Sequence, residues 1–385
     1  MDFSKIASPA PAPAPQVNGQ DASHGKYIKW NAPGVEIIEP GEDEIKAKTA
    51  NHFCAMQRQQ FQSTHHAMRA THLKTQGCVK GTLTVKDNLP EHLAQSMFAQ
   101  PGTYDVVARY SSLPFVIAPD TLPAPRGFGM KVFGIEGEKL FGNDSTQDFT
   151  FNNYPTLQLR TLAGACALGD SLERNFFHLD RFLEEQAQRE DKEVASAPAR
   201  IPPQAHMTAM TQWSQGAYRY GDYVAKFALF PATEDQEALK PVLLKESDPM
   251  DILASNLRRY HKEKTAKWSF RVQLLENLAE QPVEDTGIEW NEEKYPFQEV
   301  AVLEFPPQES FDNSFRTWFD DSGVACNPWH GLTTLQPLGS AQRSRRMVYA
   351  ESRKLRLKVN GLPTFKEPKD VKEVPMAMTV GEVIA

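Results

Sequence analysis

Cysteine is scarce in this chain of 385 residues: Cys54, Cys78, Cys166 and Cys326 are the four, and no two form a C-x-x-C pair. That spacing excludes the common zinc patterns and offers no disulfide framework, so reduced thiols are expected. Long apolar runs are missing as well. Nothing approaches the roughly 18 consecutive apolar residues of a membrane span, and none is expected. Basic clusters are absent too: 42 Lys and Arg are scattered among 49 Asp and Glu, the formal net charge is −7 and the pI is near 5.9. This removes the electrostatic footprint of a nucleic-acid or anionic-lipid binder. There is no internal repeat. Neither a G-x-G-x-x-G after a strand nor a G-x-x-x-x-G-K-[ST] loop occurs, which excludes the common nucleotide-binding folds. Residues 1–24 hold a Pro-Ala run where a secretory signal needs a basic and then an apolar stretch, and the last five residues are not a Ser-Lys-Leu address. A cytoplasmic location is expected.

What is present is a chain with 40% apolar residues, enough for a full core around an internal pocket. Composition suggests a disordered Pro/Ala-rich leader over 1–28, a folded body over 29–357 and a tail over 358–385. Ile45, Phe53, Met56 and Phe61 are spaced as on one amphipathic helix over 42–70. Alternation then predicts strands over 82–85, 104–111, 127–133, 148–152, 223–230, 268–275 and 297–305. A helix is predicted over 171–195, carried by Leu172, Phe176, Leu179 and Phe182, with a solvated charged stretch from Glu184. A last helix spans 342–357 and ends at the Asn360-Gly361-Leu362-Pro363 turn. Many strands without β-α-β alternation give the α+β class: an antiparallel β-barrel with appended helices.

Four short segments matter together more than singly. Arg69-Ala70-Thr71-His72 places a histidine between a helix end and a strand start; alone, it reads as a hydrogen-bonded structural histidine. In Val107-Ala108-Arg109-Tyr110-Ser111 an arginine sits mid-strand with Ser111 next on its face, and a buried arginine needs an anion because it cannot be neutralised. Pro125-Arg126-Gly127-Phe128-Gly129 and Asp148-Phe149-Thr150-Phe151-Asn152-Asn153-Tyr154-Pro155 follow. Near the C-terminus comes Arg345-Arg346-Met347-Val348-Tyr349, with a basic run reaching Arg356.

In this order and spacing the five segments resemble the haem-binding core of the catalase family. The piece Asn327-Pro328-Trp329-His330 with Pro337-Leu338-Gly339 is similar to its short, catalase-related, allene-oxide-synthase-like branch. The resemblance implies haem b, with Tyr349 as the iron ligand. Arg345 and Tyr349 stand at i and i+4, so the guanidinium can lie beside the phenol oxygen. His72 is implied as the acid–base group, Asn153 as an amide donor to peroxide, and Ser111 as the acceptor that holds the His72 tautomer. Arg69, Arg109 and Arg356 match propionate-binding arginines.

Three departures shape the expected chemistry. The chain ends shortly after Tyr349, so the haem is expected to be less enclosed. Residues 155–175 supply no aromatic ring before Phe176 where the family resemblance leads one to look for one. Thr71 stands where dismutating relatives have an apolar β-branched residue, and its hydroxyl is expected to hydrogen-bond His72. The expected activity is therefore turnover of an organic, fatty-acid-type hydroperoxide, or peroxide-driven oxidation of an organic substrate, by a monomer or small homo-oligomer. The alternatives are hydrogen peroxide dismutation by a short catalase, haem carriage without turnover, and a haem-free lipid-binding barrel.

Overall fold

The computed structural model describes residues 25–113, 116–142, 144–157, 160–188, 203–321, 326–362 and 367–375. Its strands are β1 (Lys74–Val85), β2 (Gly102–Ser112), β3 (Arg126–Phe133), β4 (Thr146–Asn152), β5 (Gln212–Trp213), β6 (Tyr218–Tyr220), β7 (Tyr223–Pro231), β8 (Ala266–Leu274) and β9 (Gln298–Phe305). They run in the order β5-β4-β3-β2-β1-β9-β8-β7-β6, every pair antiparallel. Gln212 pairs with Leu229 and Trp213 with Ala228, so β5 also joins β7 and closes eight strands into a barrel, with β6 added outside. Closure satisfies backbone groups that an open sheet would leave at its edges.

Alternation decides which side chains fill the barrel. Ala108 and Tyr110 of β2, Phe128 and Met130 of β3 and Phe149 and Phe151 of β4 point inward to meet Phe227, Trp268, Phe270, Leu303 and Phe305. Phe270 packs edge-on against Phe149 with centroids 5.3 Å apart, and lies 5.7 Å from Phe227.

The helices are α1 (Glu42–Thr64), α2 (Leu162–Arg174), α3 (Leu179–Ala187), α4 (Glu234–Leu239), α5 (Ile252–Glu263), α6 (Asn313–Asp320) and α7 (Ser340–Val359). α1, α2 and α7 share a small core of their own, including Phe53, Met56, Leu172 and Val348. α7 can start where it does because Gly339 has φ 90°, and a side chain there would meet the Val283 carbonyl at 2.6 Å.

The barrel class and the seven sequence-predicted strands are found, with boundary shifts. β1 begins at Lys74 rather than 82, with a bulge between Thr75 and Gly77. α1 stops at Thr64, short of 70: the Ser63 and Thr64 hydroxyls both bond the Gln60 carbonyl, and His65 turns left-handed at φ 54°. The single helix expected over 171–195 is two, α2 and α3. Asn175 leaves helical geometry and returns its amide to the Ser171 carbonyl at 3.0 Å. Most of the expected leader lies outside the described residues. Part of the expected tail belongs to the body, since Val374 is buried beside Phe315 and Trp318.

Candidate functional site

The outer face of β2–β4 is ordered by strand register. Ser111 lies opposite Gly127 and Gly127 opposite Asn152; two residues along, Arg109 lies opposite Gly129 and Gly129 opposite Thr150. Two rows thus carry polar side chains on β2 and β4 and bare backbone between them. They floor a cavity of about 530 Å³ that α7 and parts of α1 and α2 cover, with His72, Thr71, Arg69, Arg345, Tyr349 and Arg356 in its walls.

His72 stands over Gly127. A Cβ on Gly127 would lie 2.4 Å from the imidazole, so glycine is what admits the ring. The His72 backbone is left-handed at φ 53°, a strained state for a non-glycine residue, and is pinned by its N–H to the Leu113 carbonyl at 3.3 Å and by Arg109 Nη2 donating to its own carbonyl at 2.7 Å. Ser111 Oγ donates to the Gly127 carbonyl at 3.4 Å and so accepts from His72 Nδ1 at 3.1 Å. That assignment leaves the lone pair on Nε2. Burial, reinforced by Arg109, Arg345 and Arg69, pushes the imidazole pKa down to about 3, so it is a neutral base at physiological pH. The expected bond from Thr71 is not found: Thr71 lines the cavity but takes part in none of the described hydrogen bonds, and Ser111 occupies His72 Nδ1.

The two asparagines separate. Asn152 lines the cavity, in line with Ser111 and Gly127, and its amide donates to Gln215 Oε1 at 2.9 Å. Asn153, the residue expected there, is buried away from the cavity. Its Oδ1 accepts from the Arg126 N–H at 2.7 Å and its Nδ2 faces Met210 Sδ at 3.3 Å. Asn153 braces the start of β3. The signal that separates the two was present in the sequence: Asp148, Thr150 and Asn152 alternate with Phe149 and Phe151, and Asn153 breaks the period.

On α7, Arg345 Nη2 donates to the Tyr349 phenol oxygen at 2.9 Å and to Thr150 Oγ1 at 2.8 Å, which ties the helix to the sheet. Burial alone would pull the Arg345 pKa down; the phenols of Tyr349 and Tyr218 hold it above its ordinary value.

The arginines expected to share one role differ in their partners. Arg109 Nε already meets Asp320 of α6 at 3.1 Å and Thr75 Oγ1 at 2.7 Å. Arg69 donates to the Phe319 carbonyl and lies 3.9 Å from Asp320. Arg356 is 3% exposed and, among the described residues, its guanidinium has neither a hydrogen bond nor an ion pair; burial and the Arg69 charge lower its pKa well below the ordinary value. An arginine in this state is expensive unless an anion joins it. Beyond the second row, Lys131 is fully buried against Asp148 at 2.6 Å and His330 at 3.1 Å, with Glu367 at 3.5 Å. This block supplies His330, Glu367 and Cys326 to the cavity wall. Sequence reasoning missed Glu367 and Arg353, which pair at 2.8 Å, because Glu367 lies in a segment read as tail.

No protein-family model matches the chain, and no curated protein matches it. Solved structures do. The chain is similar to a fungal catalase, with a TM-score of 0.58 and 17% identity over 82% of this chain and 67% of that one. It is similar to catalase A from Saccharomyces cerevisiae, with a TM-score of 0.57 and 15% identity over 82% of this chain and 70% of that one. A bacterial catalase gives 0.52 and 14% over 93% of this chain and 70% of that one. At these identities the likeness shows the fold, a catalase-like barrel with helices packed outside it.

Proposed function

We propose that the chain is a haem-dependent oxidoreductase of the catalase type that acts on an organic hydroperoxide or uses peroxide to oxidise an organic substrate. The observation that carries this is one cavity walled by a phenol held on a guanidinium, Tyr349 on Arg345, and by a neutral imidazole fixed by a serine, His72 on Ser111.

The residues present fit a haem b. Gly127 seats the His72 ring against the sheet, the cavity measures about 530 Å³, and the Arg356 guanidinium has no ion pair of its own, with Arg69 and Arg109 beside it in the wall. Tyr349 would hold the iron through its phenolate oxygen, and Arg356, with Arg69 and Arg109, would take the propionates. When bound, the haem supplies redox chemistry at iron. His72 Nε2, unprotonated at rest, takes the hydroperoxide proton and returns it to the departing oxygen. Ser111 keeps that nitrogen unprotonated by holding Nδ1–H. The amide that orients the substrate is assigned to Asn152 instead of Asn153.

The preference for an organic substrate rests on the wall. The stretch 155–175, which has no aromatic ring, contributes Leu157 and Ala165, and these with Phe53 make an apolar surface for a carbon chain. A second reading, hydrogen peroxide dismutation by a short catalase, is favoured by the missing bond between Thr71 and His72. The test mixes haem-loaded protein separately with hydrogen peroxide and with a polyunsaturated fatty-acid hydroperoxide, and compares oxygen release with loss of diene absorbance. Fast oxygen release with intact diene rejects the first reading. Tyr349→Phe is expected to lose the tyrosinate-type ferric spectrum, and a retained native spectrum rejects the ligand assignment.

A further inference from the structure

Tyr110 lies between Arg109 and Ser111 and points the other way. Those two neighbours line the cavity, whereas the Tyr110 ring enters the barrel core, one strand's thickness from the site. The core around it is apolar, yet its phenol is hydrogen-bonded at 3.1 Å to Nε2 of His261 on α5. Tyr110 is 1% exposed and His261 fully buried. With Tyr110 as donor, His261 must carry its own proton on Nδ1, which has no partner. A buried N–H left unpaired is destabilising, so packing alone does not recommend the pair. Two aromatic rings complete the setting. Phe128, whose ring shares the core face, meets Tyr110 at 5.0 Å between centroids, and Trp268 lies 6.3 Å from Tyr110 and 5.7 Å from Phe128.

We infer that Tyr110 and His261 form a redox relay that stores one oxidising equivalent of the peroxide-oxidised haem inside the barrel. This rests on the haem reading above. Tyr110 gives one electron to the oxidised haem while its O–H bond breaks and the proton forms a bond to His261 Nε2, leaving a neutral tyrosyl radical and an imidazolium. When an electron returns, the proton goes back to the phenol oxygen. Burial holds the Tyr110 pKa well above its ordinary value and, with His206, holds that of His261 down to about 3, so neither group is ionised at rest. The imidazolium is then a high-energy product in a dry core, and the stored equivalent is returned instead of trapped. An organic substrate oxidised in one-electron steps is the kind of reaction such a store serves.

The test freezes haem-loaded protein shortly after hydrogen peroxide is added and records its electron paramagnetic resonance, with the Soret band followed in parallel. The native protein is expected to give a tyrosyl signal that narrows when its tyrosines are ring-deuterated. The signal is expected to be lost in Tyr110→Phe, which keeps the ring, and in His261→Gln, which removes the base, with the Soret band unchanged in both. A tyrosyl signal of equal size in Tyr110→Phe overturns the relay. So does a native protein whose Soret band responds to peroxide without any radical. Absence of a Soret band after haem loading overturns the haem reading itself, and the relay with it.

Discussion

The inner face of β2–β4 carries Ala108, Tyr110, Phe128, Met130, Phe149 and Phe151, all buried in one continuous core. The outer face of the same strands carries Arg109, Ser111, Gly127, Gly129, Thr150 and Asn152, which line the cavity. Backbone and hydrogen-bond ladder are common to both faces; the parity of the residue number along each strand sets the difference. Inner residues gain by leaving water. Outer ones hold a buried charge, a hydroxyl, an amide or nothing at all, and each polar one is held by a hydrogen bond of its own. The comparison teaches that the packed core and the candidate site occupy opposite sides of a single sheet, with the proposed relay through Tyr110 as the one exception.

The largest test of that separation is on the inner side. Phe270→Ala is expected to lose about 3–5 kcal/mol in chemical denaturation while haem-loaded protein that stays folded keeps its spectrum. A spectral change would mean that the core reaches the site. On the outer side, His72→Ala is expected to keep haem and stability but lower hydroperoxide turnover by roughly 10²-fold. Unchanged turnover in steady-state assays would make His72 structural. Arg356→Met should raise the melting stability of the haem-free protein by about 1–3 kcal/mol, because it removes a buried charge with no partner, and should weaken haem binding in a titration. A haem-free protein that becomes less stable would show that Arg356 is paired in solution. The smallest effect is expected at Thr71, whose hydroxyl lies in the wall beside the base. With no described hydrogen bond from Thr71 to lose, Thr71→Val is expected to change oxygen evolution from hydrogen peroxide by less than about twofold, with haem content unchanged. A several-fold rise would show that the Thr71 hydroxyl acts on His72.

Much of this architecture was legible in residue pattern. Strands with clean alternation, such as Asp148-Phe149-Thr150-Phe151-Asn152, declared both their existence and their faces. The spacing of Arg345 and Tyr349 anticipated the contact at 2.9 Å. What pattern did not give depended on partners far along the chain. β5 and β6 are two and three residues long, too short for any period, and exist because β4 and β7 bracket them. The Asp320 partner of Arg109 comes from a helix that follows it by more than two hundred residues, and composition near Arg109 says nothing of it. Motif resemblance points to Asn153, whereas strand parity puts Asn152 on the cavity face. Where the two conflicted, the elementary rule about alternating side chains agreed with the geometry.

Gly127 and Gly129 make the floor of the cavity from main chain, and this limits how the protein can change. A substitution at either position can only add atoms, against the His72 ring in one case and Cys326 in the other. No mutation there can enlarge the space. Descendants that acquire a new substrate must therefore vary the roof, where Phe53, Leu157, Ala165 and Val348 can each grow or shrink. Divergence in specificity should accordingly concentrate in α1, α2, α7 and the loops beside them, over a sheet surface that drifts very little.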